Sequence, residues 1–113
     1  MVRKEMIQKE IKECCDGKGA VSVSYWLSDE ETSPNMNMVA TLHIAPGASV
    51  GDHTHTGEAE LYYIIGGEGE YHDNGKVYTV KPGDVVICYD GDSHGIISTG
   101  TEDLVFHAVI VAG

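Results

Sequence analysis

Arginine is almost missing from this sequence: Arg3 is the only one. Phosphates and dicarboxylates are commonly recognised by the bidentate fork of an arginine, and beyond its first residues the chain has none to offer. Lysine is scarce in the same way. Lys4, Lys9, Lys12 and Lys18 crowd near Arg3, and only Lys76 and Lys81 follow. Seven basic residues against 18 acidic ones give a formal net charge of −11. That balance suits neither a nucleic-acid backbone nor an anionic membrane surface, so no nucleic-acid and no membrane partner is expected. It suits a protein that handles a small molecule.

Long apolar runs are also absent. No stretch of about 18 apolar residues occurs, which excludes a helical membrane span. The opening MVRKEMIQKEIKECC has no unbroken apolar stretch of the kind a signal peptide needs, so a cytoplasmic protein is expected. Cysteine is too sparse for a disulfide framework. There are three, and Cys14 and Cys15 are adjacent, closer than a relaxed bridge prefers. All three read as free thiols in a reducing compartment, with Cys88 a small buried hydrophobe at the end of VVIC. The length of 113 residues fits one domain with one core.

Within that domain, two textures alternate. Ile7, Ile11 and Cys14 recur at helical spacing among Lys and Glu, so a short N-terminal helix is expected over residues 3–15, stopped by Asp16-Gly17 and Gly19. Residues 1–19 then form a helical appendage, and residues 20–113 the main body. From Val21 the period becomes two: Val21, Val23, Tyr25 and Leu27 on one face, Ser22, Ser24 and Ser28 on the other. Nine short strands follow from there, separated by turn signals at the spacing of a β-sandwich or barrel. Asn74-Gly75 between two strand-like runs predicts a two-residue hairpin. The last strand is apolar on both faces, Leu104, Phe106, Ala108 and Ile110 against Val105, Val109 and Val111. Its second face therefore needs a cover, either the N-terminal segment or another subunit.

The chemistry concentrates in Gly47 to Gly67, GASVGDHTHTGEAELYYIIGG. On a strand, residues i and i+2 share a face, so His53 and His55 aim two imidazoles at one point. Glu60 opens the next strand after the Thr56-Gly57 corner. His94, in GDSHGI, arrives from a distant strand. Three neutral imidazoles and one carboxylate leave a divalent metal with net charge about +1 and open positions for water or substrate. The absence of thiolates argues against a closed structural zinc site.

Gly47, His53, His55, Glu60 and Gly67 match G-x5-H-x-H-x4-E-x6-G at every fixed position, which resembles the first motif of the cupins. Pro82-Gly83-Asp84 and His94 resemble the second. There Gly75 lies one residue further from Pro82 than usual, and Ser98 stands where asparagine is frequent. The resemblance covers about residues 20–111. It implies an all-β double-stranded β-helix, the jelly-roll barrel, with a metal at its centre and frequently a homodimer. The metal would be manganese, iron, nickel or zinc.

Other residues carry weaker readings. Glu58 shares the parity of Glu60 and is a minor alternative ligand, expected nearer the rim. Tyr62 and Ile64 share that parity too and should line the pocket, where Tyr62 either bonds a substrate or packs. Asp92 and Ser93 either orient His94 or belong to a solvated loop. His43 and His107 read as satisfied core or interface histidines, and His72 as exposed. The function expected is a metal-dependent enzyme on a small oxygenated molecule, of isomerase, decarboxylase or dioxygenase class, with Glu60 as base and Tyr62 as proton donor. The alternative is a cupin that binds a small molecule or metal without turnover. The missing arginines weigh against sugar phosphates and oxalate, and favour a neutral sugar, a diketone or a monocarboxylate.

Overall fold

The computed structural model describes residues 1–113, and it is built from ten strands. These are β1 (Ile7–Lys12), β2 (Ala20–Tyr25), β3 (Met36–Ile44), β4 (Ser49–Thr54) and β5 (Glu58–Gly66), then β6 (Gly69–Asp73), β7 (Lys76–Val80), β8 (Val85–Cys88), β9 (Ser93–Ser98) and β10 (Leu104–Ala112). A six-stranded sheet runs β1-β2-β3-β10-β5-β8, and a four-stranded sheet runs β4-β9-β6-β7. All recorded pairings are antiparallel. The two sheets face one another as a jelly roll, as the resemblance to cupins implies, and β2 to β10 are the nine expected strands.

The N-terminal helix is not there. Residues 7–12 are strand β1, in register with β2 from Ile7↔Tyr25 to Lys12↔Ala20. Only a single 3-10 turn, Cys14–Asp16, follows. The physical reason is an ambiguity of spacing. Two apolar residues four apart lie on one face of a helix and equally on one face of a strand. An isolated helix of about 13 residues is marginal in water, whereas the free edge of β2 offers a full row of hydrogen-bond partners. Ile11 and Cys14 still turn towards the core, packing against it from the side.

Alternation then places the core. Even-numbered positions of β3, β5 and β10 and odd-numbered positions of β2 point between the sheets. Phe106, Ile44, Ile64, Ile96, Leu104 and Val21 are fully buried there. Tight turns set the strand ends. Asn74 (φ 50°) and Gly75 (φ 86°) form the two-residue hairpin between β6 and β7. Gly67 (φ 73°) closes β5 where a Cβ would collide with the Asp103 carbonyl.

The outer face of the large sheet is apolar and open. Leu61, Tyr63 and Ile65 on β5, Val85 on β8 and Val111 on β10 are all exposed. β1 extends the sheet at its far edge, beyond β2, and does not fold over this face. Of the two covers considered for the last strand, the N-terminal segment is therefore not the one used.

Ser98, at the position where the cupin motif often has asparagine, is 1% exposed, and its hydroxyl has no hydrogen-bond partner. A buried polar group without a partner costs about 1–3 kcal/mol. Ser98→Ala should therefore raise the unfolding free energy by about 1 kcal/mol, read as a higher urea midpoint at unchanged slope. An equal or lower midpoint would show that the hydroxyl is satisfied.

Candidate metal centre

Both sheets contribute to one cluster. His53 on β4 pairs directly with His94 on β9 across the small sheet. His55 follows the end of β4, where its amide donates to the Asp92 carbonyl (3.1 Å) and its carbonyl accepts from the Gly91 amide (2.8 Å). Glu60 projects from β5 in the opposite sheet. One ligand atom from each of these four residues lies within 4.8 Å of all the others. His55, Glu60 and His94 are buried, and His53 is half-buried. The four residues singled out from sequence are thus within reach of one metal ion.

The tautomers follow from what holds each ring. His53 Nδ1 donates to the Gly51 carbonyl at 2.8 Å. His55 Nδ1 donates to Glu58 Oε2 at 2.7 Å. His94 Nδ1 lies 2.9 Å from the Tyr71 hydroxyl. All three Nε2 atoms are left to point inward. His55 Nε2 sits 3.2 Å from His53 Nε2, 3.1 Å from His94 Nε2 and 3.0 Å from Glu60 Oε1, and His94 Nε2 is also 3.0 Å from Glu60 Oε1. Three nitrogen lone pairs and a carboxylate facing one another this closely repel. A divalent cation between them turns that repulsion into attraction, so the donor set fits a metal. The spacing is informative as well. Donors at about 2.1 Å from one ion and at right angles to each other lie about 3 Å apart, against about 3.4 Å at tetrahedral angles.

Tyr62 forms the wall behind His94. Its ring is 2% exposed, stacks on His94 at 5.2 Å with an interplanar angle of 29°, and tilts against Phe106 at 4.2 Å. Burial, with the Glu60 carboxylate beside it, holds its hydroxyl well above the usual tyrosine value. Burial likewise pushes His53 below the ordinary histidine value, which keeps its imidazole neutral. Cys88, opposite Glu60 in the β5–β8 ladder, is pushed up to about 11 by burial and stays an inert thiol.

Several weaker readings resolve. Glu58 stands outside the four donors; its two oxygens serve His55 and the Asn37 side chain (3.0 Å). Asp92 supports His55 through its backbone, and the Ser93 hydroxyl pairs with Thr54 at 2.5 Å, so neither side chain holds His94. Tyr71 does that and was not singled out from sequence. The signal was present: in GEYHD it is the one apolar ring between polar neighbours, which places it on the inner face. His107 is half-buried and satisfied by Thr41 (2.8 Å), which also accepts from the Trp26 indole (2.9 Å). His43 is exposed.

His72, expected to be exposed, is half-buried on the outer side of the small sheet and braces it behind the ligands. It bridges Glu70 (2.9 Å) and Asp52 (3.0 Å), and these two hydrogen-bonded carboxylates raise its pKa. Asp52 reaches across β9 only because the residue there is Gly95, where a Cβ would strike the carboxylate. Strands β4, β9 and β6 are tied together in this way at the level of His53 and His94.

A two-sheet jelly roll carrying this His-His-Glu-His cluster defines a cupin. Residues 40–110 match the cupin domain model, and the chain belongs to that family. It is 44% identical over 107 residues to a protein named oxalate-binding protein from Thermotoga maritima, covering 95% of this chain and 88% of that one. The crystal structure of a predicted oxalate decarboxylase from Thermotoga maritima superposes with a TM-score of 0.94 at 43% identity over the whole of both chains. A 5-nitrosalicylic acid 1,2-dioxygenase from Bradyrhizobium is 36% identical over 66 residues, 58% of this chain and 31% of that longer protein.

Groups that orient metal-bound histidines typically contribute 10–100-fold to metal affinity. Tyr71→Phe should weaken metal retention about ten-fold in competition with a chromophoric chelator, with the melting temperature of the metal-free protein little changed. Unaltered retention would show that Tyr71 only packs.

Proposed function

We propose that this cupin holds one divalent metal through His53, His55, Glu60 and His94, and uses it to bind and transform a small oxygenated molecule. The observation that carries this is the inward convergence of three Nε2 atoms and Glu60 Oε1, all within 4.8 Å of one another and four pairs of them at 3.0–3.2 Å, with each ring pinned through its Nδ1. The bound metal would supply Lewis acidity towards a carbonyl, carboxylate or hydroxyl oxygen. The chain's own residues do the rest. Gly51, Glu58 and Tyr71 keep the imidazoles neutral at Nε2. Glu60 is the one carboxylate in the cluster able to take a proton from a ligand. Tyr62, held protonated beside it, is the only hydroxyl on the same strand face from which that proton can be balanced. Tyr62, Tyr71 and Phe106 exclude water from the inner side.

A second reading is binding without turnover. It is favoured by the burial of Tyr62 behind His94, which keeps its hydroxyl from an incoming ligand, and by the name of the Thermotoga relative. The missing barrel arginine argues against oxalate chemistry, while that name points to oxalate as a ligand; the metal alone would then have to hold it. Oxalate therefore belongs among the first probes, beside keto acids and diketones.

The open outer face of the large sheet supports a further part of the proposal, a homodimer formed through Leu61, Tyr63, Ile65 and Val85. In a chain of net charge −11 these side chains form an uncharged apolar surface, the kind that interfaces bury. The expected setting is the cytoplasm.

Elemental analysis of protein purified without chelator should find about one equivalent of metal, lost in His94→Ala. Product formation with the metal-loaded protein over a panel of keto acids, diketones and oxalate separates enzyme from binder. Absence of metal from both proteins, after loading, would end the metal reading. Sedimentation in parallel should give a dimer that Tyr63→Lys converts to monomer.

A further inference from the structure

A cavity of about 610 Å³, with strand β1 as one of its walls, lies next to the cluster without including any of its four residues. Its inner wall belongs to the same sheet row as Glu60. Glu60 pairs with Ile110 on β10, and Ile110 pairs in turn with Met38 on β3. Neighbouring strands lie about 4.8 Å apart, so the cavity begins one strand away from a candidate ligand. Glu58 lines it and also holds His55. The opposite wall is Ile7 on β1 with Tyr25, its register partner on β2.

Two features of the lining define what fits. Five of its 11 residues are apolar, and Ile7, Tyr25, Met38 and Ile110 are exposed or only half-buried, leaving apolar surface for a ligand to cover. Lys9 is its only cation, set against Asp29 and Glu58. A ligand with a second negative charge finds no net positive counterpart in this lining, and a dianion as small as oxalate would leave most of the volume unfilled. An uncharged apolar body gains by covering these side chains, at about 25 cal/mol per Å².

Resting on the metal reading above, we infer that this cavity binds the body of the ligand, and that the ligand is an α-keto or α-hydroxy monocarboxylate with a branched chain or single ring. Its oxygen end faces the cluster, and its apolar part lies between Met38, Ile110 and the Ile7–Tyr25 wall. β1 is then a specificity element.

The test is calorimetric titration of the metal-carrying protein with pyruvate and with phenylpyruvate, the metal content of each sample being measured. Phenylpyruvate should bind at least about ten-fold more tightly, the effect of burying roughly half a phenyl ring. Ile7→Asp should cut that ratio to below about three-fold at unchanged metal content, the ratio cancelling the repulsion that the new charge exerts on both anions alike. Leu27→Asp, in the loop after β2, should do the same and serves should the first variant fold poorly. Equal affinities for the two keto acids, no binding of either while metal is held, or a ratio that survives both substitutions would overturn this inference and leave the metal reading standing. Protein that holds no metal under any loading would remove both.

Discussion

Four hydrogen-bond acceptors meeting in a buried space is the constraint around which the barrel is built. Alone, such a set is unfavourable: the lone pairs repel, and water cannot reach all of them. The chain commits to it by fixing every ring from behind with a different kind of group, a backbone carbonyl for His53, a carboxylate for His55 and a phenol for His94. Once the Nδ1 atoms are engaged, the Nε2 lone pairs have nowhere to turn but inward. The ladder pairing His53↔His94 sets the distance between two donors, and the packing of the sheets sets the third side through Glu60. A slip of one residue in β4, β5 or β9 would turn a donor to the outer face, so strand register and site geometry are the same problem.

The aromatic residues manage the boundary between this polar centre and the core. Phe106, Tyr62 and His94 form a continuous stack, from a fully apolar ring through a ring with one hydroxyl to an imidazole. Below Phe106 the interior is aliphatic, with Ile44, Ile64, Ile96 and Leu104. The gradient lets one small domain hold both a close-packed core and a cation site without burying a charge in direct contact with aliphatic carbon. On the other side of the small sheet, His72 with its two carboxylates ties β4 to β6 across Gly95, at the level where a metal would pull the strands together.

Much of this is legible in the chain. The two-residue period from Val21 onward yields the strands, and the spacing of His53, His55 and Glu60 with the later His94 yields the cluster. Each depends on local alternation, which sequence encodes directly. What escaped depends on pairing between distant residues. Ile7 and Ile11 fit either period, and only the free edge of β2 decides for a strand. Glu58 could be placed on the right face but not turned towards His55, because that choice lies with Asn37 and the ring itself. Tyr71 was visible as an inward residue, yet its partner sits 23 positions away and only the β6–β9 register brings them together. Asp92 was a candidate to orient its sequence neighbour His94, whereas its carbonyl serves His55 across the loop.

Charge narrows the ligand further. A chain of net charge −11 sets up a long-range field that opposes the approach of any anion, strongest at low salt. Attraction must therefore arise at short range. With no arginine in the barrel, the proposed metal is the candidate of sufficient strength, and one carboxylate in its donor set would reduce its net charge to about +1. Such a centre compensates one negative charge well and two poorly. The lining of the neighbouring cavity, one lysine against two carboxylates, adds nothing for a second. Field, centre and cavity thus all favour the proposed ligand chemistry: one anionic oxygen head, and a body that leaves water because the surfaces beside it are apolar.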